Sequence, residues 1–147
     1  MARRPEAKPR VIRMEEWRSE PDPLVPKCTL TEMLSIEGLG EVGLYFMPPG
    51  EQTNVFSMEY EDDGTADEYY GPCHEFYFIL YGEFTMYWGK DAEEVRAGRS
   101  ERLVLKAGDL GYWPPGWKYA VKNTGKIPGA FFWGITSPPK GTVQRVA

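Results

Sequence analysis

The 147-residue chain is poor in metal-binding side chains, with one histidine and two cysteines. Cys28 and Cys73 can form at most one bridge and match no zinc spacing, which excludes a disulfide scaffold. No apolar run approaches the roughly 20 residues that a membrane-crossing helix needs, so no membrane partner is expected. The opening stretch MARRPEAKPR lacks the apolar core of a signal peptide, and the expected location is cytoplasmic, with both thiols reduced. Positive charge is also scarce: 17 Lys and Arg stand against 22 Asp and Glu, for a net charge of −5. The basic residues gather at the start, where Arg3, Arg4, Lys8, Arg10 and Arg13 face Glu6 alone. Residues 14–147 therefore carry −9. A body of that sign repels phosphate, so no nucleic-acid partner is expected.

What the chain has in quantity is turn-formers and rings. It holds 16 glycines and 13 prolines, and 14% of its residues are Phe, Trp or Tyr. That combination predicts an all-β domain of short strands. Residues 1–28 are polar and proline-dotted and read as an N-terminal arm lying outside the domain. The arm has room for one helical turn at 14–18 or one strand at 10–14. Residues 29–147 read as one domain. Strands are predicted at 29–36, 41–47, 53–60, 75–81, 83–88, 102–105, 110–113, 118–122 and 130–135, with a charged hairpin over 89–100. From Glu51 to Glu75 inclusive there are eight carboxylates and no Lys or Arg. Their centre, 61–68, reads as a solvated loop.

Two stretches resemble the cupin family. Gly108-Asp109-Leu110-Gly111-Tyr112-Trp113-Pro114-Pro115-Gly116-Trp117-Lys118-Tyr119-Ala120-Val121-Lys122-Asn123 is similar to the second cupin motif at every fixed position but one. Tyr119 stands where that motif has histidine. Glu75 and Gly82, within CHEFYFILYGE, have the closing spacing of the first motif. The resemblance spans about residues 41–137 and implies a double-stranded β-helix, the jelly-roll barrel. It also implies a homodimer and a small-molecule ligand or substrate inside the barrel.

The resemblance fails at the metal. Cupin metals are typically held by three histidines and a glutamate, and neither way of counting the first motif lands on a histidine here. Imidazole suits zinc, iron, copper and nickel, so no cofactor is assigned. If a divalent metal or iron were bound, His74, Glu75, Tyr70 and Tyr119 would be its ligands. His74 and Glu75 are adjacent, however, and neighbours in a regular strand face opposite sides of a sheet.

Without a metal, the barrel positions suggest acid–base chemistry. Glu75 and Tyr119 are the candidate catalytic residues, with His74 as a third. Burial would raise the pKa of an inward Glu75 and make it a better general base. If Glu75 points inward, alternation brings Tyr77, Ile79 and Tyr81 with it. Tyr119 would likewise bring Trp117 and Val121. These five, with Tyr70, are the expected ligand-binding residues. The sequence supports a lyase or isomerase using Glu75 with Tyr119 or His74. A non-catalytic binding barrel and a metal-dependent dioxygenase are the alternatives.

Overall fold

The computed structural model describes residues 8–36, 40–57 and 73–136. Ten strands run through them: β1 (Arg18–Pro21), β2 (Thr29–Ile36), β3 (Gly40–Met47), β4 (Phe56–Ser57), β5 (His74–Tyr81), β6 (Glu83–Gly89), β7 (Glu101–Lys106), β8 (Leu110–Trp113), β9 (Lys118–Asn123) and β10 (Gly129–Thr136). They form a six-stranded sheet in the order β1-β2-β3-β10-β5-β8 and a four-stranded sheet in the order β4-β9-β6-β7. Every pairing is antiparallel. This is the jelly roll that the cupin resemblance implies, with the boundaries of β2, β3 and β5 to β10 within about a residue of those expected. Of the described residues, no helix is long and apolar enough to cross a membrane.

The inner faces of the sheets make one core. Tyr77 and Ile79 of β5, Phe84 and Met86 of β6, Tyr119 and Val121 of β9, and Phe131 of β10 meet there. The pairs on β5, β6 and β9 each lie two residues apart along the strand, the period that sends alternate side chains to one face. A smaller cluster seals the outer face of the four-stranded sheet. There the expected hairpin contains a five-residue helix, α1 (Ala92–Arg96), whose Val95 packs on Val55, Tyr87 and Ala120. Asp91 begins the helix by accepting a hydrogen bond from the Glu94 backbone N–H at 3.0 Å, which satisfies one of the orphan donors of the first turn.

The motif residues shape turns. Asn123 donates from Nδ2 to the carbonyls of Met47 and Ile127, at 2.9 and 3.0 Å, and accepts from Gly125 N–H at 3.0 Å. One buried amide thus ties the β9–β10 connection to the end of β3. Gly82 turns the chain between β5 and β6 with φ +91°, a conformation that L side chains rarely adopt.

Three expectations change here. Residues 53–55 do not extend a strand. Instead Thr53 N–H bonds to Val121 C=O at 2.8 Å, and only Phe56–Ser57 pair with β9. Residues 58–60 lie outside the described residues. Within the presumed arm, the helical turn is a 3-10 turn at Met14–Glu16, and β1 adds to the six-stranded sheet through Arg18↔Glu32 and Pro21↔Thr29. After β1 the chain folds back in a tight loop, closed by Asp22 N–H to Cys28 C=O at 3.0 Å and Cys28 N–H to Val25 C=O at 2.8 Å. Residues 18–28 are therefore part of the barrel wall rather than an appendage. Cys28 and Cys73 are both buried and are not bridged to each other.

Candidate functional site

A cavity of about 320 Å³ opens between the inner face of the six-stranded sheet, the loop after β1 and the segment leading into β4. Its floor is built by alternation. Glu41 and Tyr45 of β3, Glu75 and Tyr77 of β5, and Phe131, Trp133 and Ile135 of β10 all reach it. Space for Trp133 exists because β3 carries a glycine opposite it, in the pair Trp133↔Gly43. A Cβ at Gly43 would sit 2.5 Å from Trp133 Cζ2 and 2.1 Å from the Thr31 carbonyl oxygen. The indole N–H of Trp133 is buried and has no acceptor among the described residues.

Glu75 and Tyr119 meet. The Tyr119 hydroxyl donates to Oε2 of Glu75. The carboxylate is 5% exposed and the tyrosine 0%, so the bond lies in a low-dielectric environment that strengthens it. Glu75 lines the cavity, whereas Tyr119 does not and stands behind it. The Tyr119 ring is clamped by a stacked Trp113 at 4.7 Å and by Phe56 and Tyr77 at 6.0 and 6.4 Å. Two sheets cooperate in this pair, since Glu75 belongs to β5 and Tyr119 to β9.

The other expected site residues divide. Tyr77 lines the cavity and packs on Phe131 with ring centroids 4.3 Å apart. Ile79 and Val121 face the interior but are buried in the core, away from the cavity lining. His74 does not join Glu75: it projects to the outer face, as strand alternation requires. There its Nδ1 lies 2.6 Å from the Tyr112 hydroxyl and its ring stacks on that residue. Tyr81 is 45% exposed rather than inward. The register against β10 steps from Phe131↔Ile79 to Ala130↔Tyr81, and such a bulge reverses the facing of the residue beyond it. Trp117 is also turned away from the cavity, edge-on to Trp88 at 5.1 Å with Lys90 Nζ 3.9 Å from its ring centroid. It precedes β9, so strand alternation does not govern it. Tyr70 lies outside the described residues.

Among the described residues, the set expected to hold a metal does not come together. Of the set His74, Glu75, Tyr70 and Tyr119, His74 faces outward, and the Tyr119 hydroxyl is engaged as a donor to Glu75. Among the described residues, no three His, Cys, Asp or Glu side chains come together as metal ligands do.

A second carboxylate–phenol pair lines the same cavity and was not anticipated from the sequence. Tyr45 donates its hydroxyl to Asp22 Oδ2, and Asp22 also accepts from Leu24 N–H at 2.9 Å. Burial, followed by the hydrogen bond to Asp22 and that carboxylate's charge, holds the Tyr45 phenol far above the usual phenol range. Burial pushes the neighbouring Cys28 thiol up to about 11, against a lowering contact with Tyr45 and with small additions from Glu51 and Asp22. Alternation along β3 would have placed Tyr45 with Glu41, Gly43 and Met47. Nothing in the sequence marks Asp22, because only the pairing of β1 with β2 brings it to the barrel.

No family profile and no curated protein matches the chain. Solved structures do. A protein described as a predicted oxalate decarboxylase from Thermotoga maritima superimposes with TM-score 0.61 at 18% identity, covering 88% of this chain and 100% of that one. A Klebsiella pneumoniae protein with a double-stranded β-helix domain gives 0.60 at 16%, covering 92% and 95%. The Schizosaccharomyces pombe Cnp3 cupin domain gives 0.58 at 15%, covering 76% of this chain and 66% of that one.

Proposed function

From a chain with the cupin fold, we propose a small-molecule enzyme of the lyase or isomerase type in which Glu75 is the acid–base group. The observation that carries this reading is the placement of Glu75: buried, on the wall of the cavity, and held by the Tyr119 hydroxyl from behind. A carboxylate so placed can take a proton from a ligand carbon and return it elsewhere, which is isomerisation. Alternatively, the electron pair expels a leaving group, which is elimination. Tyr119 is a positioning residue, since it touches Glu75 and not the cavity. Tyr77 lines the cavity, and its phenol is the group suited to stabilise a developing oxyanion.

The second reading is a barrel that binds without turnover. It is favoured by the phenol that replaces imidazole at the family's metal position. One experiment separates the two. The parent protein and Glu75→Gln are incubated with a cell-extract metabolite pool in deuterated water, and bound and free small molecules are followed by mass spectrometry. Deuterium incorporation or product formation by the parent, at least about tenfold faster than by Glu75→Gln, supports the enzyme. Ligand retained equally by both without conversion supports the binding barrel, and an outcome with neither conversion nor retained ligand refutes both.

The proposal keeps the cytoplasmic homodimer. The outer face of β5 and β8 exposes Phe78, Leu110 and Tyr112, and apolar faces along sheet edges are ones that a second copy can cover. Sedimentation at micromolar concentration should give two protomers, and a monomer would refute this part.

A further inference from the structure

The cavity wall specifies the charge of its occupant. Three lining side chains are carboxylates, Asp22, Glu41 and Glu75, and among the described residues no Lys, Arg or His lines the cavity. They come from three separate elements: the loop after β1, then β3, then β5. Much of the remaining wall is aromatic, from Tyr45, Phe56, Tyr77, Phe131 and Trp133. Ring faces carry negative quadrupole density and attract ammonium groups, most strongly where water is excluded. Carboxylates and ring faces thus select the same sign. An anionic ligand would meet repulsion from all three carboxylates, and a neutral one would leave their attraction unused.

The arrangement also distinguishes an organic cation from a metal ion. The acidic groups do not come together as metal ligands do, so they surround the space instead of converging on a point. That suits a ligand with a charged head and an apolar body. Asp22 and Glu75 each accept a phenol hydroxyl, whereas Glu41 receives the Ser35 hydroxyl at 2.9 Å and is only half-buried. Glu41 is therefore the carboxylate best placed to take a direct ammonium hydrogen bond, with the other two adding charge. The net charge of −5 raises the local concentration of cations around the molecule.

We infer that the ligand of this cavity is a small organic cation, a primary or substituted ammonium, whose head bonds Glu41 and whose apolar body packs on Phe131 and Trp133. This rests on the reading of the cavity as a small-molecule site. The test uses three probes that share a ring and differ in charge: benzylammonium, benzyl alcohol and benzoate. Each is titrated into the full chain by calorimetry at neutral pH.

Benzylammonium should bind at least tenfold tighter than benzyl alcohol, equivalent to about 1.4 kcal/mol, and benzoate should be weakest. Glu41→Gln should weaken benzylammonium at least fivefold and leave benzyl alcohol unchanged. Asp22→Asn should act in the same direction, and both variants are checked for folding by thermal melting. Benzyl alcohol or benzoate binding as tightly as benzylammonium would overturn the inference and leave the cavity reading standing. Benzylammonium affinity unchanged in both variants would overturn it as well. No binding by any probe would overturn the inference together with the reading beneath it.

Discussion

Replacing Tyr119 with phenylalanine removes one oxygen and little else. The ring stays stacked on Trp113 at 4.7 Å, and its volume changes little, so no cavity term arises. What is lost is the hydroxyl donor to Glu75, in a pair where both side chains are buried. Hydrogen bonds to charged groups are worth about 1.5–3 kcal/mol, so Tyr119→Phe should destabilise the fold by about that amount. For a domain of this length each kcal/mol moves Tm by about 2–4 °C, a fall of roughly 3–12 °C. Glu75→Gln should have a smaller effect, because an amide oxygen still accepts from the phenol.

Urea unfolding of the parent, both single variants and the double variant gives a coupling energy for the pair. Turnover or ligand affinity should change at least about tenfold in Tyr119→Phe, because Glu75 loses its orientation. An unfolding free energy within about 0.5 kcal/mol of the parent, or zero coupling, would mean that the hydroxyl does not hold Glu75, and the proposed site would fall with it.

Gly43→Ala should cost about 1–3 kcal/mol by overpacking and weaken cavity binding. The added carbon meets the Thr31 carbonyl, which cannot yield, and the Trp133 ring, which forms the wall; thermal melting and titration read both effects. His74→Ala should leave cavity affinity within about twofold and stability within about 0.5 kcal/mol, since His74 lies on the outer face with Tyr112; a large loss of binding would return it to the site. Stability should decline as pH rises above 9. The Cys28 thiol is raised from 9.0 to about 11 in the fold, so the unfolded chain ionises first. The native advantage is complete below 9 and erodes through 11, by about 2–3 kcal/mol. Tyr45, raised by burial and then by its bond to Asp22, continues the same trend. Urea midpoints at pH 8, 9.5 and 10.5 follow the slope, and a profile flat to pH 10.5, or one as steep in Cys28→Ala, would contradict it.

Local patterning determined much of the architecture. Period-two runs such as EFYFILY carry their inner face with them wherever they pair, so strand identity was legible before any partner was known. The meeting of Tyr119 with Glu75 was legible only through the cupin resemblance, because local pattern fixes neither which strands face each other nor how far apart they lie. Alternation also separated His74 from Glu75 in advance.

Where alternation stops, the sequence could not decide. Tyr81 turns outward because of a step in register against β10, and a step in register belongs to the partner strand as much as to β5. Trp117 lies before β9 begins, where no period applies. The α1 helix was missed because five residues are too few to establish a period, although the Asp91 cap was in plain view. Asp22 entered the cavity only through the pairing of β1 with β2, whose partners lie 8 to 14 residues apart in sequence. Tyr45 became its donor only through the fold-back of the chain between them. The strands could be read residue by residue because each carries its own period. The cavity could not, because its charge and its volume arise from side chains on segments that only tertiary pairing brings within hydrogen-bonding distance.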